Sequence, residues 1–208
     1  MAKLYFKFGA MGSSKSASAL MCRFNYIQKG MRVLIMKSDV DIRDLDEKNN
    51  IIIKSRIGLT CPCEVFSKTD NLISKFKDVL KNTDVVIVDE CQFLTKSQVE
   101  QLKIISLSIP VLCYGLKTNF KTELFEGSKR LLELADSISE IKSVCKCGKK
   151  AIINARFVDG KISLGGDETV IGGDDGVVSY ESMCYKCYLN KIKEQHWKNV
   201  KFAQDPAK

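Results

Sequence analysis

The chain of 208 residues is 45% hydrophobic, enough apolar material for a sizeable core in one large domain or one domain with a small appendage. No window approaches the roughly 18 consecutive apolar residues of a membrane span, and "MAKLYFKFGA" lacks the long apolar segment of a secretory signal, so no membrane partner and a cytoplasmic location are expected. A net charge of +8 favours an anionic partner, be it nucleotide phosphate, nucleic acid or acidic lipid, while the single histidine, His196, removes most Ser-His, Cys-His and multi-histidine metal chemistries and is expected on the surface.

The first apolar run, "LYFKF" (4–8), reads as a buried strand and leads into "GAMGSSKS" (9–16). Next, "SASALMCRFNYIQ" has helical periodicity, with Leu20, Phe24 and Ile27 on one face. "RVLIM" (32–36) is a second buried strand. Residues 37–64 are mixed and charged, too long for an ordinary connection, and predict a functional loop with a short strand at "IIIKS". "NLISKFKDVL" repeats the helical pattern through Leu72, Phe76 and Leu80, and "VVIVD" (85–89) and "PVLCYG" (110–115) are further strands. Such alternation predicts an α/β fold, a parallel sheet flanked by helices on both faces, over residues 1–140.

From residue 141 the texture changes. "RFVDGKIS" carries a hairpin signal at Asp159 and Gly160, glycines punctuate the segment after it, and a helical tail closes the chain. Residues 141–208 therefore read as a small β-rich metal module without internal repeats.

"GAMGSSKS" lies between a strand and a helix, as a phosphate-binding P-loop must. There, backbone N–H groups and the helix N-terminus meet phosphates while Lys and Ser serve phosphate and Mg²⁺. Gly9, Lys15 and Ser16 are correctly placed, whereas Ser14 stands where the pattern has its second glycine. That serine either distorts the loop or fits with ordinary dihedrals. "VVIVDECQF" supplies the second half of such a site, because Asp89 and Glu90 end a strand on the ligand-binding edge of a parallel sheet. Lys15 would then neutralise the β- and γ-phosphates, Ser16 and Asp89 would hold Mg²⁺, and Glu90 is the best general base. This logic does not distinguish a hydrolase from a kinase.

Nine cysteines, an odd number with two close-spaced late pairs, point to metal rather than disulfides. Cys145 and Cys147 form C-x-C, and Cys184 and Cys187 form C-x-x-C. Four thiolates satisfy a tetrahedral Zn²⁺ and leave no open position, so the zinc should be structural and hold residues 148–183 as a lasso. Cys61 and Cys63 form another C-x-C without a second pair and are read as incidental.

Together these residues resemble the cellular, zinc-containing (type II) thymidine kinases along nearly the whole chain. The likeness is carried by the P-loop with Met11, "SRIG" (55–58), "VDECQFL" (88–94), "PVLCYGLKTNFKTELFEGS" (110–128), "CKCGKKA" (145–151), "VIGG" (170–173) and "YESMCYKCY" (180–188). The resemblance implies transfer of the ATP γ-phosphoryl group to the 5′-hydroxyl of thymidine, giving thymidine monophosphate in nucleotide salvage. It implies Glu90 as the proton acceptor. The first nucleotide-contacting segment would be Gly9, Ala10, Met11, Gly12, Ser13, Ser14, Lys15 and Ser16, and the second Asp89, Glu90, Cys91 and Gln92.

Met11, Leu116, Phe120 and Phe125 would wall the base pocket, and a zinc-anchored lasso with Val170, Ile171, Gly172, Gly173, Asp174 and Tyr180 would close over it. An apolar, water-poor enclosure keeps water from taking the phosphate in place of the sugar hydroxyl. The family also implies a homotetramer and feedback inhibition by thymidine triphosphate. The chain departs from its pattern at Ser14 and in "DDGVVSYESM", a longer span between "VIGG" and Cys184. Two alternatives stand beside the kinase. One is a nucleic-acid-dependent P-loop ATPase, although no single-strand stacking stripe supports a nucleic-acid partner. The other is a catalytically impaired nucleotide binder, motivated by Ser14.

Overall fold

The computed structural model describes residues 3–166 and 178–201, the side chains of 196–201 excepted. The expectation for His196 therefore lies outside the described side chains.

The chain opens with β1 (Leu4–Phe8), the P-loop, α1 (Lys15–Ile27) and β2 (Val33–Ser38). A small hairpin, β3 (Ile52–Lys54) and β4 (Thr60–Pro62), precedes β5 (Glu64–Phe66) and two short helical turns, α2 (Leu72–Lys75) and α3 (Lys77–Leu80). Then come β6 (Val85–Asp89), a 3₁₀ turn at Cys91–Phe93, α4 (Lys96–Ile105), β7 (Val111–Gly115), α5 (Glu126–Leu134) and β8 (Ser137–Glu140). Six strands pair in the order β5-β2-β6-β7-β1-β8, and every pairing is parallel. This is the expected α/β architecture. Because all strands run the same way, the loops after β1, β2, β6 and β7 leave from one edge, where ligands bind in such sheets.

Period-2 alternation sorts the strand residues into two cores. On one face Leu4, Phe6, Leu34, Met36, Val86 and Val88 pack with Leu72, Val99, Leu102 and Leu131 of the helices. On the other, Ile35, Val85, Ile87, Leu112 and Tyr114 pack with Ala19 and Leu20 of α1 and with Ile53 and Cys61 of the hairpin. Helix α4 begins in a full capping box, Thr95 Oγ1 accepting from Gln98 N and Gln98 Oε1 accepting from Thr95 N. The Gln98 amide also donates to the carbonyls of Ser67 and Asp70, tying α4 to the turn after β5.

Three expectations need correction. On α1 only Leu20 of the predicted face is buried; Phe24 is 59% and Ile27 41% exposed. The helix is rotated so that Lys15, Ala19, Cys22 and Tyr26, at helical spacing, face the sheet. Burial of Lys15 at the P-loop fixes that rotation. Within residues 37–64 the short strand expected at "IIIKS" is present as β3, but it is not isolated: it pairs with β4 in a hairpin, and β5, which joins the sheet edge, begins at Glu64. The "NLISKFKDVL" helix breaks at Phe76 (φ −103, ψ 15) into α2 and α3, although Leu72 and Phe76 are buried as expected.

The remaining chain forms β9 (Ser143–Val144), β10 (Lys150–Ala151), β11 (Ile153–Val158), β12 (Lys161–Ser163), β13 (Val178–Met183) and α6 (Tyr185–Lys201). Strand β11 pairs antiparallel with β12 and β13, and β9 with β10. The predicted hairpin joins β11 to β12, with Asp159 (φ 49) and Gly160 (φ 74) both left-handed, as the tightest hairpin turns require. A third, smaller core of Ala151, Ile153, Ala155, Ile162, Met183 and Tyr188 packs here beside Cys145 and Cys184.

Candidate active site

The P-loop is held by close backbone approach. Gly9 N donates to the Gly115 carbonyl at 3.3 Å, and a Cβ at Gly9 would fall onto Ser13 Oγ and the Ile141 carbonyl. Gly12 turns at φ 75, and Ser14, the residue before the helix, lies at φ 62, ψ 32. The left-handed region favours glycine, and an L-residue there costs roughly 1–2 kcal/mol. The loop keeps its course nonetheless: Ser14 O accepts from Ser18 N at 2.9 Å and the helix starts at Lys15. Of the two possibilities for Ser14, ordinary dihedrals are ruled out, and the loop carries strain rather than distortion.

Lys15 is buried, its Nζ donating to the Ala10 carbonyl at 2.9 Å. Burial pulls its pKa down, and the carboxylates of Glu90 and Asp89 pull it back up. Asp89 ends β6 fully enclosed. Burial, and then the neighbouring Glu90 charge, push its carboxyl up to about 7, while a hydrogen bond from the Ser16 side chain opposes the shift. Ser16 and Asp89 thus stand together as hard oxygen donors, a fit for Mg²⁺.

Glu90 occupies the left-handed region as well, at φ 51, ψ 40. Strain of this kind in a non-glycine residue persists where surrounding contacts impose it. Here Gln92 Nε2 donates to Glu90 Oε2 at 2.6 Å and Arg43 Nη2 lies 3.4 Å from Oε1. Arg43 is forked onto Asp41 at 2.6 and 2.7 Å, and Asp41 pairs with the buried Lys37 at 3.2 Å. The fork holds the Arg43 guanidinium firmly protonated. Gln92 Oε1 also accepts from Leu116 N at 2.9 Å, so the strand-end acids and the segment after β7 are tied together.

A cavity of about 530 Å³ opens over these groups. It is lined by Met11, Gly12, Ser14, Lys15 and Ser16, by Asp89, Glu90 and Gln92, and by Leu116, Phe120, Phe125 and Tyr180. Phe125 meets Phe93 edge-on at 6.1 Å, and the Arg156 guanidinium sits 3.7 Å from the Phe120 ring centroid. Tyr180 hydrogen-bonds Arg156, and burial raises its pKa. Four of the predicted nucleotide residues, Gly9, Ala10, Ser13 and Cys91, do not line this cavity. The Cys91 side chain is buried in the main core and meets Cys113 instead. Val170, Ile171, Gly172, Gly173 and Asp174 lie outside the described residues.

In the C-terminal module, the sulfurs of Cys145, Cys147, Cys184 and Cys187 lie within 4.8 Å of one another. Sulfurs around a tetrahedral zinc at about 2.3 Å each stand about 3.8 Å apart, and the Cys147–Cys184 separation is 3.6 Å. The donor set fits a structural zinc. The C-x-C turn is a knuckle in which Gly148, at φ 83, donates to the Cys145 carbonyl at 2.8 Å. Cys61 is buried in the core and Cys63 lies against the Ile51 carbonyl, both apart from this cluster.

The thymidine kinase family model matches residues 2–188. The chain belongs to the thymidine kinase family. Thymidine kinases of Shewanella oneidensis and Photobacterium profundum are each 44% identical over 197 residues, covering 92% of this chain and 99% of theirs. The thymidine kinase of Zymomonas mobilis is 42% identical over 197 residues, covering 92% of this chain and 98% of its own. The DotB ATPase of Legionella pneumophila reaches a TM-score of only 0.37 at 15% identity, covering 72% of this chain and 43% of that one, too distant to inform the site. A family of ATP-dependent kinases does not favour the nucleic-acid-dependent ATPase.

Several residues around this thymidine kinase family site escaped the sequence reading. Lys37 carried a signal, a lysine at the end of the buried run "VLIMKS". Asp41 and Arg43 reach Glu90 only through the fold. The same is true of Asn154, which contacts the P-loop across 143 residues of sequence. Arg56, quoted within "SRIG" but given no role there, extends over Gly12, its Nη1 3.4 Å from where a Cβ would stand.

Proposed function

We propose that this member of the thymidine kinase family transfers the γ-phosphoryl group of ATP to the 5′-hydroxyl of thymidine, giving thymidine monophosphate and ADP. The observation that carries the reading is one cavity lined both by the P-loop lysine and the Glu90 carboxylate and by the aromatic side chains of Phe120 and Phe125. That combination suits a triphosphate meeting a nucleoside.

Backbone N–H groups of residues 9–16 cradle the phosphates, and Lys15 exchanges its Ala10 carbonyl contact for phosphate oxygens. Glu90, oriented by Gln92 and Arg43, accepts the proton of the 5′-hydroxyl as its oxygen bonds to the γ-phosphorus. The bond to the β–γ bridging oxygen breaks and ADP leaves with that electron pair. Ser16 and Asp89 would hold Mg²⁺, which would neutralise charge on the ATP phosphates. Cys91 and Gln92 complete the nucleotide side through their backbone and the Gln92 amide. Met11, Leu116, Phe120, Phe125 and Tyr180 enclose the base, with residues 170–174 as the covering lasso. The cysteine cluster holds Zn²⁺ and anchors that lasso.

The reading divides the chain into a kinase domain, 1–140, and a zinc-binding lasso domain, 141–208. Among the described residues no helix is long and apolar enough to cross a membrane; a cytoplasmic location belongs to the same proposed reading. Exposed Met21, Phe24 and Ile27 on α1 offer apolar surface for self-association into a homotetramer. Feedback inhibition by thymidine triphosphate belongs to the same reading, since the cavity would accept a nucleoside and a triphosphate in one molecule. Incubating the purified protein with ATP, Mg²⁺ and thymidine should give thymidine monophosphate; nucleotide binding without turnover would favour the impaired binder.

A further inference from the structure

Asn154 lies on β11 of the cysteine-held module, yet its side chain leaves that module. It is 4% exposed, and both ends of its amide are engaged with the other part of the molecule. Oδ1 accepts from Met11 N in the P-loop at 2.8 Å, and Nδ2 donates to the Thr118 carbonyl after β7 at 2.9 Å. The amide orientation is fixed by chemistry, because a backbone N–H can only donate and a carbonyl can only accept. Its neighbours Ile153 and Ala155 are in the module's core, and β11 is locked to β13, the strand that runs into Cys184. Each of the two hydrogen bonds also starts a short path to the chemistry. Met11 adjoins Ala10, whose carbonyl holds Lys15, and the 116–118 segment holds Gln92, which orients Glu90.

We propose that Asn154 is a positioning residue that pins the P-loop and the 116–118 segment to the cysteine module, setting the two substrate-binding segments at a fixed separation. The assignment rests on the kinase reading for its thymidine half and only on the P-loop for its nucleotide half. Asn154 borders the same cavity, but both ends of its amide are taken up by Met11 and Thr118, so its role is to position them rather than to contact the reacting groups. Its effect passes through Met11 on one side and Thr118 on the other, so the two sides can be separated by substitution.

Asn154→Leu keeps the volume and removes both bonds, leaving the half-buried Met11 N–H and Thr118 carbonyl without this partner. Asn154→Asp keeps an acceptor for Met11 N and turns a carboxylate oxygen toward the Thr118 carbonyl. A fluorescent ATP analogue reads the P-loop side, and steady-state kinetics with thymidine read the other. For Asn154→Asp the analogue's affinity should stay within about twofold while KM for thymidine rises about tenfold. For Asn154→Leu both should weaken by about tenfold. Should Asn154→Leu fail to fold, the split in Asn154→Asp decides. Equal losses of both affinities in Asn154→Asp, or no change in either, would overturn the proposal in favour of a residue that only adds stability. Failure of the wild type to phosphorylate thymidine would break the functional reading instead, and the analogue would still report whether Asn154→Leu loosens the P-loop.

Discussion

The six-stranded sheet and the cysteine module solve the same problem with different means. The sheet buries strands such as "VVIVD" on both faces, with one apolar core above and another below. Among its described residues the module has one small core, in which Cys145 and Cys184 take up places that larger apolar residues would fill. A core of that size contributes little stability by itself, and a metal cross-link is a usual remedy in small folds. The difference teaches where function can be lost selectively. On the proposed reading, chemistry sits at the carboxyl edge of the sheet, whereas the enclosure of the base depends on the module with the smaller core.

The strongest way to sharpen that contrast is to remove chemistry and leave both parts folded. Glu90→Gln should lower kcat by about 10²–10⁴, with ATP-analogue affinity and melting temperature close to wild type; turnover near the wild-type level would remove Glu90 from the role of base. Next in size is loss of the metal. Cys145→Ser, or chelation, should empty the site by elemental analysis and abolish thymidine binding. Nucleotide binding should weaken by no more than about tenfold, the share passed through one lost hydrogen bond. A variant with unchanged metal content would contradict the ligand set.

How far the sequence disclosed this depends on the range of the interaction concerned. Buried parallel strands are legible because both faces are apolar, and β1, β2, β6 and β7 all fall within two residues of their expected bounds. Strand β8, "SISE", is polar and half-exposed at the sheet edge and left no such trace. The face of α1 was misread because its large apolar residues point outward, a rotation fixed by Lys15 and not by hydrophobicity. Motifs marked Lys15, Ser16, Asp89, Glu90 and the four cysteines, since each motif is local in sequence. The links from Asp41 and Arg43 to Glu90 and the bonds of Asn154 are made by tertiary contact, and nothing local marks Asp41, Arg43 or Asn154.

A smaller effect is expected at Ser14, where strain is stored at the carboxyl edge of the sheet. Ser14→Gly suits φ 62 and should stabilise the fold by about 1 kcal/mol, a rise of about 2–4 °C in melting temperature. An unchanged or lower melting temperature would mean that the loop imposes no strain on serine.

The smallest is a pH effect from Asp89. Its folded pKa of about 7 lies above the ordinary 3.8, so between those values the folded protein holds a proton that the unfolded chain has released. Stability of the metal-free, nucleotide-free protein should therefore fall as pH rises through this window, and Asp89→Asn should flatten the slope. Asp41, Asp70 and Asp84, whose pKa values are lowered, act in the opposite sense, their contribution being lost as pH falls through and below the ordinary value of 3.8. A slope unaltered in Asp89→Asn would assign the effect elsewhere.

The central claim is that one cavity joins a P-loop nucleotide site to a thymidine site across Glu90. Purified protein supplied with γ-labelled ATP, Mg²⁺ and thymidine tests it most directly, with Glu90→Gln alongside. The account predicts label transferred to thymidine monophosphate by the wild type and none above background by the variant. Label released only as inorganic phosphate, or equal transfer by both proteins, would contradict it.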